Sequence, residues 1–239
     1  MSFAWVIVVE HPMKVEHELP QTLKKSIAEF LGTATLLTVI AGSGIQATRL
    51  SQDGGVQLLI NISSIVLALA LIIIVVAPIS GAQLNPVVSL IELLKRNQGF
   101  GHSLAFISAQ TAGAIVGAIF ANVMFDLPAI QFSNHERVTT GTLIGEVVAT
   151  AGLIAIIGIL ANRNLSKLIP FAVAAWIYAA CFVTSSTAFA NPAVTIGRAF
   201  TGTYVGIEFG SVMPFIMAQL VGGAVGLLIV KFTTQPKTA

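Results

Sequence analysis

The sequence predicts an all-α membrane protein with six transmembrane helices and two short re-entrant helices. Of its 239 residues, 55% are hydrophobic and 9% are charged, which leaves too few polar side chains to cover a soluble domain. Charge-poor runs recur at the length of roughly 20 residues that crosses a bilayer. In addition, the tripeptides Asn85-Pro86-Val87 and Asn191-Pro192-Ala193 each open an apolar segment that is too short to span.

The charge-poor runs place the six spans at 23–45, 56–77, 102–124, 141–161, 168–187 and 210–232. Of the 12 Lys and Arg residues, only Arg49, Arg137 and Arg198 then fall on one side, which leaves 12 − 3 = 9 on the other. The positive-inside rule therefore predicts that both termini are cytoplasmic. We interpret the basic residues as a topology signal and expect no binding to nucleic acid.

The domain organisation predicted from these spans is simple. We expect a cytoplasmic N-terminal extension over 1–22, one membrane domain over 23–232 and a tail over 233–239. The single cysteine, Cys181, excludes an intrachain disulfide. We find no nucleophile–base pair and no group of metal ligands in the sequence, so we expect neither an enzyme nor a cofactor.

The membrane domain contains an internal repeat, over about 23–124 and 141–232. Ala28-Glu29 matches Gly145-Glu146, the two Asn-Pro tripeptides match each other, and Ala109-Gln110 matches Ala218-Gln219 in the same order. Each repeat has three spans, and because three is odd the second repeat enters the membrane inverted. Inverted repeats with interrupted segments at matching positions predict a pathway near the midplane.

The two Asn-Pro tripeptides carry the start signal of a helix. Asn can cap the free N–H groups, and Pro at the first helical position has no N–H to leave unpaired. We expect the side-chain oxygens to cap and the NH2 groups to face a cavity. The two helix dipoles would place positive potential at the centre, which opposes cations and protons. The backbone carbonyls that would line the cavity are those of Gly81, Ala82, Gln83 and Leu84 and of Thr187, Ala188, Phe189 and Ala190.

On the Asn-Pro pair, the Ile79 to Leu84 stretch and the two Ala/Gly-Glu starts, the sequence resembles the aquaporin, or major intrinsic protein, family. The resemblance covers about residues 24–232. It implies a right-handed bundle of six helices and two half-helices, a pore in each protomer and a homotetramer. It also implies passive flow of water or small uncharged solutes across a lipid bilayer, here expected to be a bacterial or archaeal plasma membrane.

The largest departure from the family pattern is Val194, which stands where the family usually has the arginine of its narrow filter. Spacing in the family assigns the other filter positions to Ile65, Ala179 and Ala188. An arginine would offer donors, narrow the opening and repel cations, and valine does none of these. We therefore expect a wider and less polar filter that admits neutral solutes of the size of glycerol-like polyols or metalloid hydroxides. The Asn-Pro-Ala-Val stretch at 191–194 also resembles a bacterial aquaglyceroporin branch associated with arsenic-resistance genes, and this resemblance implies arsenite as a solute.

Two charged residues near the half-helices leave alternatives open. Arg198 lies four residues after Val194, so it shares a helix face with it, and Glu92 holds the matching place after Asn85. The pair is either a displaced selectivity device at the two mouths or two side chains that meet interfacial water. We favour the second interpretation.

Glu29 and Glu146 are ionisable residues inside spans, which suggests function. We expect each to accept hydrogen bonds from the loop that leads into a half-helix. The alternatives are a proton-coupled transporter that uses both carboxylates, a strictly water-selective channel, and a structural junction protein that passes nothing.

Overall fold

The computed structural model describes residues 20–233, and it is entirely helical there apart from turns and extended loops. Residues 1–19 and 234–239 lie outside this range, and with them most of the expected extension and tail. The helices are α1 (Gln21–Leu50), α2 (Gly54–Ser80), α3 (Pro86–Leu94), α4 (Phe100–Met124), α5 (Thr140–Asn162), α6 (Ile169–Val183), α7 (Pro192–Arg198) and α8 (Phe209–Thr233), with a 3₁₀ turn at Ser166–Leu168.

Six of these segments are long and apolar enough to cross a membrane: α1, α2, α4, α5, α8, and α6 together with its preceding 3₁₀ turn. The predicted span at 168–187 is too long, because α6 ends at Val183. Thr184 leaves the helix with extended dihedral angles, and its hydroxyl donates to the Ala180 carbonyl at 2.7 Å. The absence of charge after Val183 reflects burial in the protein rather than continued helix.

Apolar side chains also cover the outside of the bundle. On α2, Leu67, Leu71 and Val75 are 73%, 62% and 59% exposed. These residues recur every four positions and so form one stripe of the helix. A stripe of this kind is stable against lipid or another apolar surface but not against water, and the chain is an integral, multi-pass membrane protein.

The two sequence repeats pack in the same way. In the first, α1 packs along α4, and in the second, α5 packs along α8. Glycines allow the close approach: a Cβ atom built on Gly117 would lie 2.2 Å from the Ala34 carbonyl oxygen, and one on Gly222 would lie 2.6 Å from that of Val147. Glycines at these contacts therefore let the helix backbones come together.

The two half-helices, α3 and α7, are only nine and seven residues long. Each begins as predicted, with Asn as the N-cap and Pro as the first helical residue. Asn85 Oδ1 accepts from the Val87 N–H at 2.9 Å, and Asn191 Oδ1 accepts from the Ala193 N–H at 3.0 Å. Both asparagines are buried, so the half-helices begin inside the bundle.

Candidate functional site

The two asparagines pair the half-helices across the centre of the bundle. Asn85 Nδ2 donates to the Ala190 carbonyl at 2.8 Å, and Asn191 Nδ2 donates to the Leu84 carbonyl at 2.7 Å. Both asparagines line a cavity, as expected, but their NH2 groups are not wholly free to face it. One N–H of each amide holds the opposite loop, and the second has no partner in the described part of the chain.

Glu29 holds the loop before α3 in place. Its carboxylate accepts from the backbone N–H groups of Gln83 at 2.9 Å and Leu84 at 2.6 Å. It also accepts from the Ser80 hydroxyl at 2.6 Å and from Gln110 Nε2 at 2.8 Å. Glu29 is 0% exposed, and these four donors satisfy both of its carboxylate oxygens.

Glu146 does the same for the loop before α7. Its carboxylate accepts from the N–H groups of Phe189 and Ala190, both at 2.9 Å, and from Gln219 Nε2 at 2.6 Å. It is also 0% exposed. The loop-supporting geometry expected for Glu29 and Glu146 is thus present in both repeats. Gln110 and Gln219, which occupy matching positions in the two repeats, each donate to the glutamate of their own repeat.

The supported loops have an unusual backbone. Besides Gly81, with φ of 94°, five residues other than glycine have φ between 48° and 58°: Ala82, Leu84, Thr187, Ala188 and Ala190. This left-handed region is disfavoured for residues with a Cβ atom. The conformation persists because the Glu29 and Glu146 carboxylates hold loop N–H groups in place. The loop carbonyls then point away from the carboxylates.

Three of the eight predicted pore carbonyls already have partners in the protein. Those of Leu84 and Ala190 accept from the asparagines, and that of Thr187 accepts from the Cys181 thiol at 3.2 Å. A carbonyl oxygen has two lone pairs, so each keeps one acceptor position.

A cavity of about 300 Å³ runs along these loops and half-helices, past both asparagines. Its wall is aliphatic over most of its length, with side chains from α1, α2, α5 and α6. These are Leu36, Ile40, Leu58, Ile62, Ile65, Leu69, Ile73, Leu153, Ile157, Ile169, Val173 and Ile177.

Three of the four predicted filter residues line this cavity: Ile65, Ala188 and Val194. The fourth, Ala179, does not, and its side chain is exposed on the outside of the bundle. Residues on an α-helix advance by about 100° each, so Ala179 lies about 200° from Ile177 and from Cys181, which both line the cavity. Spacing carried over from the family gave the wrong register, and Cys181 is the wall residue beside Thr187.

Arg198, the last residue of α7, lies in the wall of the same cavity with Arg137, Phe189 and Tyr204. We call these four residues the arginine vestibule. The guanidinium carbon of Arg198 lies 3.4 Å from the centre of the Phe189 ring, and that of Arg137 lies 5.5 Å from it. Arg198 is only 7% exposed, so the interpretation that it merely meets interfacial water is wrong.

Backbone carbonyls position both guanidinium groups. Arg198 Nε donates to the Val205 carbonyl, while Arg137 donates from Nε to Gly206 at 2.6 Å and from Nη2 to Tyr204 at 3.0 Å. Burial lowers the pKa of Arg137, but arginine stays protonated in proteins. Burial also raises the pKa of Tyr204, so its phenol keeps its proton at neutral pH.

Glu92, the counterpart of Arg198, has a different environment. It lies beside a separate polar cavity with Lys25 and His102. Its carboxylate pairs with Lys95 at 3.0 Å and accepts from Asn97 at 2.6 Å. The two predicted mouth charges are therefore not equivalent, because Glu92 forms an ion pair with Lys95, whereas Arg198 forms none in residues 20–233.

Sequence reasoning missed Arg137, Tyr204 and Cys181 as wall residues. A signal for Arg137 was present, since it is one of the three basic residues on the side of the membrane where the charge rule predicts few. Tyr204 and Cys181 had no such signal, because their orientation depends on how the loops close.

The chain is similar to known channel proteins over nearly its whole length. The model of the family "Major intrinsic protein" matches residues 16–185. The aquaglyceroporin AqpS of Rhizobium meliloti is 37% identical over 215 residues, which cover 89% of this chain and 91% of that protein. A probable TIP-type aquaporin of Medicago truncatula is 30% identical over 233 residues, covering 93% and 91%.

The X-ray structure of the aquaglyceroporin from Plasmodium falciparum has the same fold. Its TM-score is 0.68 over 88% of this chain and 95% of that one, at 21% identity. With half-helices that meet at paired asparagines, an inverted repeat and these relatives, the chain belongs to the major intrinsic protein family.

Proposed function

We propose that this protein is a passive channel for small uncharged solutes, glycerol-like polyols and metalloid hydroxides such as arsenite, together with water. The observation that carries the proposal is the wall beside the asparagine pair. There Val194, 3% exposed, lines the cavity with Ile65 and Ala188, and none of the three is polar. An uncharged wall fits the carbon face of a polyol, and the asparagine N–H groups supply donors to its hydroxyl groups.

The same geometry supports exclusion of cations at the centre. Two helix N-termini meet there, and each contributes roughly half a positive charge. The similarity to an aquaglyceroporin, a name that implies glycerol transport, supports the solute class. We further propose a homotetramer in a bacterial or archaeal plasma membrane, with both termini cytoplasmic and the arginine vestibule extracellular.

Stopped-flow light scattering on proteoliposomes tests the solute class. We expect the wild type to pass water, glycerol and arsenous acid. Val194→Arg adds a long charged side chain to the wall, so glycerol and arsenous acid flux should fall at least about tenfold, which corresponds to a barrier of about 1.4 kcal/mol. Water flux should fall much less, because water needs less width.

Val194→Leu is the matched control, since it adds bulk without charge. It should reduce glycerol flux less than arginine does. Equal glycerol flux in the wild type and in Val194→Arg would contradict the role assigned to this wall, and a wild type that passes water but no glycerol would contradict the solute class.

A further inference from the structure

The arginine vestibule holds two positive charges, and neither makes an ion pair in the described part of the chain. No carboxylate in residues 20–233 lies within 4.0 Å of the guanidinium of Arg137 or Arg198. This differs from Glu92, which pairs with Lys95. Arg198 is buried and Arg137 is half-buried. The Glu146 carboxylate acts on Arg198 from beyond ion-pair distance, while its hydrogen bonds go to the loop before α7 and to Gln219. Because a charge held away from water without a direct partner is costly, this arrangement favours a further anionic group.

The guanidinium groups also keep unused donors. Within the described part of the chain, Arg198 uses only Nε for a hydrogen bond, and both Nη nitrogens are left over. Arg137 uses Nε and Nη2, which leaves Nη1. Both side chains line the cavity, and guanidinium N–H groups suit the oxygens of a carboxylate or other oxyanion.

The positions of the two groups are fixed rather than adaptable. Both stack on the same ring, Phe189, at 3.4 and 5.5 Å, and backbone carbonyls hold their Nε atoms. The Phe189 N–H is itself held by Glu146 at 2.9 Å. Preorganised donors lose little entropy when they bind a ligand, and the Tyr204 phenol in the same wall is a further donor.

From these observations we propose that the arginine vestibule is a binding site for a small singly charged oxyanion, with Arg137 and Arg198 as its binding residues, and that the bound anion obstructs the channel. The ligand class is defined by chemistry: two or more oxygens on a planar or tetrahedral centre, as in a short carboxylate or an inorganic oxyanion. The obstruction rests on the proposed channel function; the binding does not.

Binding is measured first, without transport. Thermal unfolding of the full-length protein in detergent is followed in sodium nitrate, sodium acetate and sodium chloride at one ionic strength. A ligand that binds the folded state raises the unfolding midpoint in a saturable way. We expect nitrate or acetate to raise it above the chloride value, and the salt with the larger effect identifies an inorganic oxyanion or a carboxylate as the preferred ligand.

Variants assign the effect to the site. Arg137→Gln and Arg198→Gln should each weaken the apparent affinity about tenfold, as expected for loss of a charge-assisted hydrogen bond. Arg49→Gln is the matched control. The Arg49 guanidinium also stacks on a ring, that of Phe125, at 4.9 Å and donates a hydrogen bond to the Phe125 carbonyl, but Arg49 does not line the cavity. If Arg198→Gln does not fold, Arg137→Gln alone tests the assignment.

Obstruction is measured as glycerol flux into proteoliposomes. Nitrate should reduce flux in the wild type and in Arg49→Gln, and in Arg137→Gln the same reduction should need about tenfold more nitrate. The binding proposal is overturned if nitrate and acetate both match chloride in the unfolding assay, or if their effect is the same in all variants. Anion binding with no glycerol flux in any salt would overturn the proposed channel function and leave the site standing.

Discussion

Asn191 ties the second repeat to the first: its Nδ2 donates to the Leu84 carbonyl at 2.7 Å while its Oδ1 accepts from the Ala193 N–H at 3.0 Å. One side chain thus caps α7 and anchors the loop before α3. Asn85 makes the mirrored pair of bonds to Val87 and Ala190. The position of each half-helix therefore depends on an amide from the other repeat.

We expect Asn191→Ala to lose both bonds. Loss of the cap costs about 1 kcal/mol, and the buried Leu84 carbonyl left without its partner adds roughly 1–3 kcal/mol. The thermal midpoint in detergent and the glycerol flux should both fall. Asn134→Ala, on an exposed loop, should change neither, and an Asn191→Ala protein with wild-type stability would contradict the structural role of this bridge.

Asn191→Asp separates the two bonds. The carboxylate can still cap α7, but it replaces the donor to Leu84 with an acceptor, so two oxygens meet. We expect a lower thermal midpoint than in the wild type although the cap is kept. An aspartate variant as stable as the wild type would mean that the bridge to Leu84 contributes nothing.

The carboxylates Glu29 and Glu146 bear on the transporter alternative. Each is fully buried and accepts from backbone N–H groups and a glutamine amide. Both oxygens of each carboxylate accept from a loop N–H group, so a proton carried on either oxygen would displace a hydrogen bond that holds the loop. We therefore expect glycerol flux to stay the same when a protonophore collapses the proton gradient across the proteoliposome. A flux that falls with the gradient would favour the coupled transporter.

Glu146→Gln tests the loop-supporting role directly. The amide has one oxygen in place of two acceptors, so its NH2 group faces N–H donors of Phe189, Ala190 or Gln219. We expect a loss of roughly 1–3 kcal/mol of stability, the cost of a buried donor without an acceptor. Glu136→Gln, on the exposed loop before α5, is the control and should leave the thermal midpoint unchanged.

Gly117 lies in the contact between α1 and α4, and this position predicts a stability difference between two glycines of α4. A Cβ atom at Gly117 would lie 2.2 Å from the Ala34 carbonyl oxygen, whereas at Gly101 nothing lies within 4 Å. Gly117→Ala should cost about 1–3 kcal/mol through overpacking. Gly101→Ala should be neutral or gain up to about 1 kcal/mol of helix propensity. Equal thermal midpoints for the two variants would contradict this packing.

Much of the fold could be predicted because its sequence signals either involve neighbouring residues or occur once in each half of the chain. The capped starts at Asn85 and Asn191 depend on two adjacent residues, and the inverted repeat depends on matches such as Glu29 with Glu146. Long-range polar pairs followed from the repeat as well, since a buried carboxylate must find donors.

What the sequence could not predict depends on backbone conformation. Ala82, Leu84 and Ala190 adopt left-handed angles that their residue types disfavour, and only the finished tertiary structure imposes them. The end of α6 at Val183 was equally hidden, because uncharged helix and uncharged loop have the same composition. The assignment of Ala179 to the filter had a separate cause: it rested on spacing carried over from the family, whereas Cys181 lines the cavity in this chain.

The orientation of α6 gives the last prediction. Cys181 lines the cavity and is the only cysteine in the chain, so a small neutral thiol reagent such as methyl methanethiosulfonate has one target. We expect the reagent to reduce glycerol flux in the wild type, because the added group extends from the wall beside Thr187. Cys181→Ala should conduct glycerol and resist the reagent.

The double variant Ala179→Cys, Cys181→Ala tests the register of α6. It carries one cysteine two residues earlier, on the outward face of α6, and the reagent should modify this cysteine without reducing glycerol flux. Inhibition of the double variant together with resistance of the wild type would restore Ala179 to the filter and reverse the register of α6 described above.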